Sequence, residues 1–411
     1  MTHDTPLIAI IAIGLSMAFV LGLVAHRFRL PLIAGYLMAG VIIGPFTPGF
    51  VANQELANEL AEIGVILLMF GVGLHFSLKD LLAVKAAAIP GALGQIAVAT
   101  VAGVGLAYAM GWGLGAGVIF GLSLSVASTV VLLRALQSRG ILKDETGRLA
   151  VGWLIVEDLV MVVVLVLIPP LAGLMGGVEV PVEGEAAEVA SWGLGPLGAT
   201  LLLTGMKVAG FVGLMLIVGA RLIPLVLHYS MHTGQRELFR LAVLAIALGV
   251  AYGSAVFFGV SFALGAFFAG MVMASSTLSN QAMKDTLPLR DAFAVLFFVS
   301  VGMLFNPSVI WTQPLALIGT VVIVIGIKSV AAYGLMRWFG HDRSAGFVLA
   351  ASLAQVGEFS FILVGMGVKL EIVPVEARDL VVAAALVSIL LNPLLFHLTD
   401  RYAAKPPEPV A

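Results

Sequence analysis

The chain has 411 residues, 61% of them hydrophobic and 11% charged, with a mean hydropathy of +1.11. So few polar residues could not cover a soluble core of that size, and the composition specifies a polytopic membrane protein in contact with a lipid bilayer. A net charge of −2 without a basic cluster argues against nucleic acid as a partner, and the lack of cysteine excludes disulfides and thiolate metal sites.

The N-terminus, Met1 to Pro6, has no positive segment, and Arg27 and Arg29 follow the first apolar run where a cleavage site would need small residues. That run reads as a first span, not a signal peptide. Apolar stretches of about 20 residues predict thirteen spans, roughly 6–25, 31–49, 56–74, 84–109, 114–136, 147–170, 196–224, 237–256, 259–275, 290–305, 314–337, 344–367 and 377–399. With the N-terminus outside, seventeen of the 21 Lys and Arg, from Arg27 to Lys405, fall at the inner side. Only Lys369 and Arg378 fall outside, while Lys207 and Lys328 lie within spans. One missed or invented span would destroy this asymmetry, so the expected topology is N-out and C-in. The acidic loop with Glu179, Glu183, Glu185 and Glu188 is then external. Residues 1–400 are expected to form the transmembrane domain, and 401–411, ending Lys405-Pro-Pro-Glu-Pro-Val-Ala411, a cytosolic tail or truncated linker.

Sliding the chain on itself by 229 or 230 residues reveals a repeat. Leu32-Ile-Ala-Gly-Tyr-Leu-Met-Ala-Gly40 matches Phe262-Ala-Leu-Gly-Ala-Phe-Phe-Ala-Gly270, and Val72-Gly73 falls on Val301-Gly302, Phe76 on Phe305, Gly117 on Gly346 and Ser123-Leu124 on Ser352-Leu353. Repeats seven spans apart run in opposite directions. The expectation is an all-α fold of two inverted repeats, spans 1–6 (6–170) and spans 8–13 (237–399), joined by span 7 (196–224) as connector.

In such folds the substrate site forms at the midplane, where small and polar residues break a helix. Span 5 carries Gly121-Leu-Ser-Leu-Ser-Val-Ala-Ser-Thr129 and its repeat partner, span 12, Ala350-Ala-Ser-Leu-Ala-Gln-Val-Gly-Glu-Phe-Ser360. Span 6 carries Glu157 and Asp158 near its middle, where a charge costs at least about 2.5 kcal/mol. Asp158 either binds a dehydrated monovalent cation or takes a proton, and competition for one carboxylate is antiport in its simplest form. Glu157 points about 100° away round the helix, so one acid can coordinate while the other pairs elsewhere. Lys328, mid-span in span 11, is the expected partner, holding Glu157 or Asp158 or alternating with the ion. Glu358 either balances exposed helix-end dipoles or lies on the ion pathway. Lys207 can snorkel outward, and the pair His228 and His232 lacks the Glu of a zinc-protease motif.

Four segments in order, Ser123-Leu-Ser-Val-Ala-Ser-Thr129, Leu154-Ile-Val-Glu-Asp158, Leu296-Phe-Phe-Val-Ser-Val-Gly-Met303 and Gln355-Val-Gly-Glu-Phe359, together resemble the monovalent cation:proton antiporter-2 family, especially its Kef-type potassium/proton members. The resemblance covers about residues 6–400. It implies thirteen helices, a mobile core domain around two crossing discontinuous helices (spans 5 and 12), and a dimerisation domain, hence a homodimer in an inner membrane. It further implies that Asp158 carries ion and proton and that Lys328 matches the family's core-domain lysine. Kef-type relatives commonly have an amide before the key Asp. Glu157 instead resembles the YbaL-like branch, and a second titrating acid there would carry an extra proton and make exchange electrogenic. Relatives often continue into a cytosolic nucleotide-binding regulatory domain, so such a domain or an ancillary subunit is an expected partner outside this chain. The reading is a secondary transporter, not an enzyme, exchanging K+ in preference to Na+ for H+ with no other cofactor. Asp158 and Glu157 would bind ions, Lys328 tune them, and Ser125, Ser128, Thr129, Gln355 and Glu358 line the breaks and the pathway. The alternative is a ligand-gated potassium efflux pore without obligatory proton coupling.

Overall fold

The structure, a computed structural model, describes residues 6–28, 30–48, 53–75, 78–142, 144–178 and 195–403. Arg29, Phe76, Lys143, the acidic loop from Glu179 to Glu188 and the tail from Lys405 lie outside the described residues.

The described residues form helices and no strands. In chain order these are α1 (Pro6–Arg27), α2 (Leu32–Ile43), α3 (Gln54–His75), α4 (Leu78–Ala109), α5 (Leu114–Ser125), α6 (Thr129–Ser138) and α7 (Glu145–Leu171). There follow α8 (Gly195–Leu214), α9 (Ala220–His232), α10 (Arg236–Phe258), α11 (Phe262–Ala274) and α12 (Ser279–Met303). The last six are α13 (Val309–Thr312), α14 (Pro314–Val321), α15 (Lys328–Trp338), α16 (Arg343–Leu353), α17 (Glu358–Lys369) and α18 (Val375–Ala403). A π-helical turn joins α8 to α9 and another, Val322–Ile327, joins α14 to α15.

Among the described residues nine helices are long and apolar enough to cross a bilayer, and the bent pair α16 and α17 makes a tenth. The expected count of thirteen is therefore not established by length. Predicted spans 2 and 9 are the short helices α2 and α11, of 12 and 13 residues, and span 5 opens with the 12-residue α5. Each falls short of the roughly 20 residues that cross the hydrocarbon core. Hydropathy counts apolar residues whether or not the helix continues: apolar text runs on past Ile43 and Ser125, but the helices stop there. Predicted span 7 errs the other way, since apolar helix continues to His232.

Both halves follow one element order: long, short, long, long, broken, long. The packing carries the repeat further. A side chain at Gly40 would strike the Val299 carbonyl and approach Gly302 Cα to 2.8 Å; one at Gly270 would strike the Phe70 carbonyl and approach Gly73 Cα to 3.0 Å. Conversely, Gly302 abuts the Leu37 carbonyl and Gly73 the Phe267 carbonyl. Shifting by 229 to 230 residues turns the first crossing, α2 on α12, into the second, α11 on α3. In each, a glycine meets a glycine and the carbonyl three residues before it. Without a hydrophobic drive between helices in lipid, close backbone approach at small residues is what holds them.

These crossings organise one bundle of α1, α2, α3, α10, α11 and α12, with α8 and α9 against its α10 and α11 side. A second bundle contains α4 to α7 and α14 to α18. Its core includes the buried Leu132, Leu136, Trp153, Ala332, Met336 and Leu349. Both broken helices lie in the second bundle.

Candidate ion-binding site

Hydroxyls end the first half-helix. Ser123 Oγ donates to the Ile119 carbonyl at 2.8 Å and Ser125 Oγ to that of Leu122 at 2.7 Å. Such back-bonding competes with the helical ladder. The chain then extends through Val126 to Ser128, whose Oγ accepts the Val131 N–H at 3.3 Å and caps α6. On the repeat partner, Ser352 Oγ donates to the Val348 carbonyl at 2.7 Å, α16 stops at Leu353, and Gly357 in extended conformation precedes α17. The axes of α16 and α17 differ by 43°.

The two breaks touch. Gly357 N–H donates to the Val126 carbonyl at 3.0 Å, and Gln355 Nε2 donates to the carbonyls of Ser128 (3.2 Å) and Ser352 (3.1 Å). A Cβ on Gly357 would lie 2.5 Å from the Ala127 carbonyl oxygen, so only glycine admits this crossing. Backbone groups freed by the breaks thus find partners inside the protein, as they must away from water.

The acids of α7 reach into the first break. Ala127 N–H donates to Glu157 Oε2 at 3.0 Å, and Thr129 Oγ1 donates to Asp158 Oδ2 at 3.1 Å. Glu157 and Lys328 are 0% exposed, Asp158 and Glu358 each 3%. Asp158 is within electrostatic reach of Glu358 and Glu157, and Lys328 of Glu157. Five buried side-chain oxygens around the crossing have no hydrogen-bond partner among the described residues: Glu157 Oε1, Asp158 Oδ1, Gln355 Oε1, Glu358 Oε2 and Ser360 Oγ. Among the described residues no three His, Asp or Glu side chains converge as ligands for one metal ion.

Several expectations change in detail. Lys328 donates its hydrogen bond to the Gln355 carbonyl at 2.8 Å rather than to a carboxylate; its link to Glu157 is through charge. The π-helical turn Val322–Ile327 ends immediately before Lys328. Ser125 spends its hydroxyl on its own helix, whereas Ser128, Thr129 and Gln355 stand at the crossing. Lys207 is exposed on α8, and His232 Nδ1 contacts the His228 carbonyl at 2.8 Å on an exposed face.

The sequence reading missed two buried amides and one acid. Gln95 Nε2 on α4 donates to the Ser125 carbonyl at 2.9 Å, and Asn392 Nδ2 on α18 to the Ala351 carbonyl at 2.9 Å. Their signal was a single amide inside an apolar span. Asp379, 5% exposed near the start of α18, lies 3.9 Å from Arg378; it sat too near a span end to be singled out.

The family described as sodium/hydrogen exchanger, transmembrane, matches residues 14–398. Over 405 residues the chain is 56% identical to YbaL of Escherichia coli strain K12, a candidate cation/proton antiporter, covering 98% of this chain and 70% of that protein. It is 33% identical over 371 residues to K(+) efflux antiporter 4 of Arabidopsis thaliana, covering 90% of this chain and 60% of the relative. The solved structure of the sodium proton antiporter MjNhaP1 from Methanocaldococcus jannaschii at pH 8 shares the fold, with a TM-score of 0.69 and 14% identity over 97% of this chain and 99% of that one. Matched over nearly its whole length, the chain belongs to the transmembrane sodium/hydrogen exchanger family.

Proposed function

We propose that this chain is a secondary antiporter exchanging K+ for H+, with Asp158 carrying either ion in turn. The observation that carries this reading is the half-satisfied carboxylate: Thr129 holds Oδ2 while the buried Oδ1 has no donor. Ionised and unpaired, such a group is costly in a low-dielectric interior. A proton or a partly dehydrated cation removes the cost, and one carboxylate takes only one of them at a time. Competition at that oxygen couples the two fluxes.

The surrounding residues divide the remaining work. Thr129 fixes the orientation of Asp158, Gln355 and Glu358 supply further oxygens at the crossing, and Lys328 balances Glu157. K+ is favoured over Na+ by the likeness to a K(+) efflux antiporter. The bundles supply alternating access: the glycine-locked bundle is the support, and the bundle with the broken helices carries the site. Between them is a cleft lined by Leu32, Val131, Ala135, Arg139 and Phe396. Ser128, Val131, Ala135 and Arg139 share one face of α6, so the cleft follows that helix toward the break. We place the protein in an inner membrane as a homodimer with its N-terminus outside, regulated by a domain or subunit beyond this chain.

The test is proton movement in proteoliposomes on adding K+ and then Na+, comparing wild type with Asp158→Asn. The expected result is proton movement on K+ addition that the substitution abolishes. Cation flux without proton movement, or an unimpaired Asp158→Asn, would overturn the reading and favour a pore.

A further inference from the structure

Helices α4 and α14–α15 are repeat partners, and each sends one long polar side chain to the broken end of the next half-helix. Lys328 donates to the Gln355 carbonyl just beyond α16, and Gln95 donates to the Ser125 carbonyl at the end of α5. A shift of 229 puts Gln95 on Val324, one helical turn before Lys328. Both side chains are 0% exposed. One is charged and the other neutral.

The difference matters because the last turn of a half-helix ends in carbonyls that carry about half a negative charge. An ammonium cancels that charge, as Lys328 does beyond α16. An amide orients the carbonyl and leaves the negative end uncancelled. The end of α5 lies two residues before Ala127 and four before Thr129, the groups that hold Glu157 and Asp158. Gln95 also reaches the acids from the other side. Its Oε1 accepts the Trp153 indole N–H at 3.5 Å. Trp153, fully buried, sits one turn before Glu157 on α7. Gly91, one turn before Gln95, makes room for the Trp153 ring, which a Cβ there would strike.

We propose that Gln95 is a positioning residue for the ion site: its amide N–H fixes the negative end of α5 beside the acids, and its amide oxygen fixes Trp153 beneath Glu157. Gln95 touches no ion and acts through the Ser125 carbonyl and the indole. The proposal rests on the antiport reading above.

The test uses the full chain in proteoliposomes, with K+ as the probe. Gln95→Met keeps volume and removes donor and acceptor. It raises the half-saturating K+ concentration about tenfold, the effect of losing one buried hydrogen bond, with the maximal rate within about twofold of wild type. Gln95→Glu is isosteric and donates to the Ser125 carbonyl only when protonated, so its rate relative to wild type falls as pH rises. A merely structural role for Gln95 moves neither the half-saturation nor the pH profile. Wild-type half-saturation in Gln95→Met overturns the proposal. So does a flat rate ratio across pH in Gln95→Glu, which also decides the matter if Gln95→Met does not fold. Wild type that moves no protons overturns the antiport reading instead, and Asp158→Asn alongside separates the two failures.

Discussion

Replacing Gly357 by alanine isolates the contact between the two breaks. Gly357 has φ −97° and ψ 171°, extended backbone open to any residue, so the substitution introduces no dihedral strain. The effect is steric: the new Cβ stands 2.5 Å from the Ala127 carbonyl oxygen and 2.7 Å from its carbon. Reaching ordinary contact at about 3.4 Å requires the breaks to part by about 0.9 Å. That stretches the Gly357 N–H to Val126 carbonyl bond from 3.0 Å to well beyond bonding distance and pulls Ala127 N–H off Glu157. Overpacking costs about 1–3 kcal/mol, which a protein of this size survives, and a misplacement near 1 Å costs up to about 100-fold in rate. The expected outcome is folded, monodisperse protein with K+-driven proton exchange reduced 10- to 100-fold, by the order of magnitude of that misplacement. Gly365→Ala, inside the α17 helix that Gly357 precedes, meets nothing within 4 Å and serves as the control. Exchange within about twofold of wild type in Gly357→Ala, or an equal loss in Gly365→Ala, would refute the argument that contact between the breaks sets the site.

Lys328→Met leaves the Gln355 carbonyl without its donor and Glu157 without a counter-charge. Removing one member of a buried charge pair costs about 3–5 kcal/mol, and the midpoint of thermal unfolding in detergent should fall accordingly. Gly302→Ala and Gly40→Ala probe one crossing from its two sides. Each should cost about 1–3 kcal/mol in the same assay, while Gly249→Ala, with nothing within 4 Å, should cost nothing. Arg139 holds its guanidinium 4.1 Å over the Phe396 ring where both line the cleft. Arg139→Gln removes a charge that repels an entering cation, so half-saturating K+ should drop about two- to threefold at low ionic strength and return to wild type at high salt, as screening requires.

What could be read from the sequence was what changes local composition. Glu157, Asp158 and Lys328 stand out because a charge in an apolar run is rare. The breaks stand out because Ser and Gly interrupt long apolar text, and the repeat because Gly40 and Gly270, and Gly73 and Gly302, lie 230 and 229 residues apart. What required the structure was pairing across distance. Thr129 meets Asp158 from 29 residues away, and Gln355 meets Ser128 from 227; no periodicity encodes either contact. Lys328 was expected on a carboxylate, but the carbonyls exposed by a broken helix compete for an ammonium as well as an acid does. Gln95 carries no charge to mark it, and the repeat sets it a full turn from its counterpart.

The glycine crossings also determine where the molecule can bend. Side chains can repack when two helices slide, by changing rotamer, but backbone resting on backbone has no rotamer to change. On the antiport reading, the bundle locked at Gly40 on Gly302 and Gly73 on Gly270 is the stator. Displacement of the other bundle has to be absorbed where the chain passes between them, which among the described residues is between α12 and α14. A cross-link within the stator should leave turnover intact, whereas one that pins Leu32 to Ala135 across the cleft should stop it.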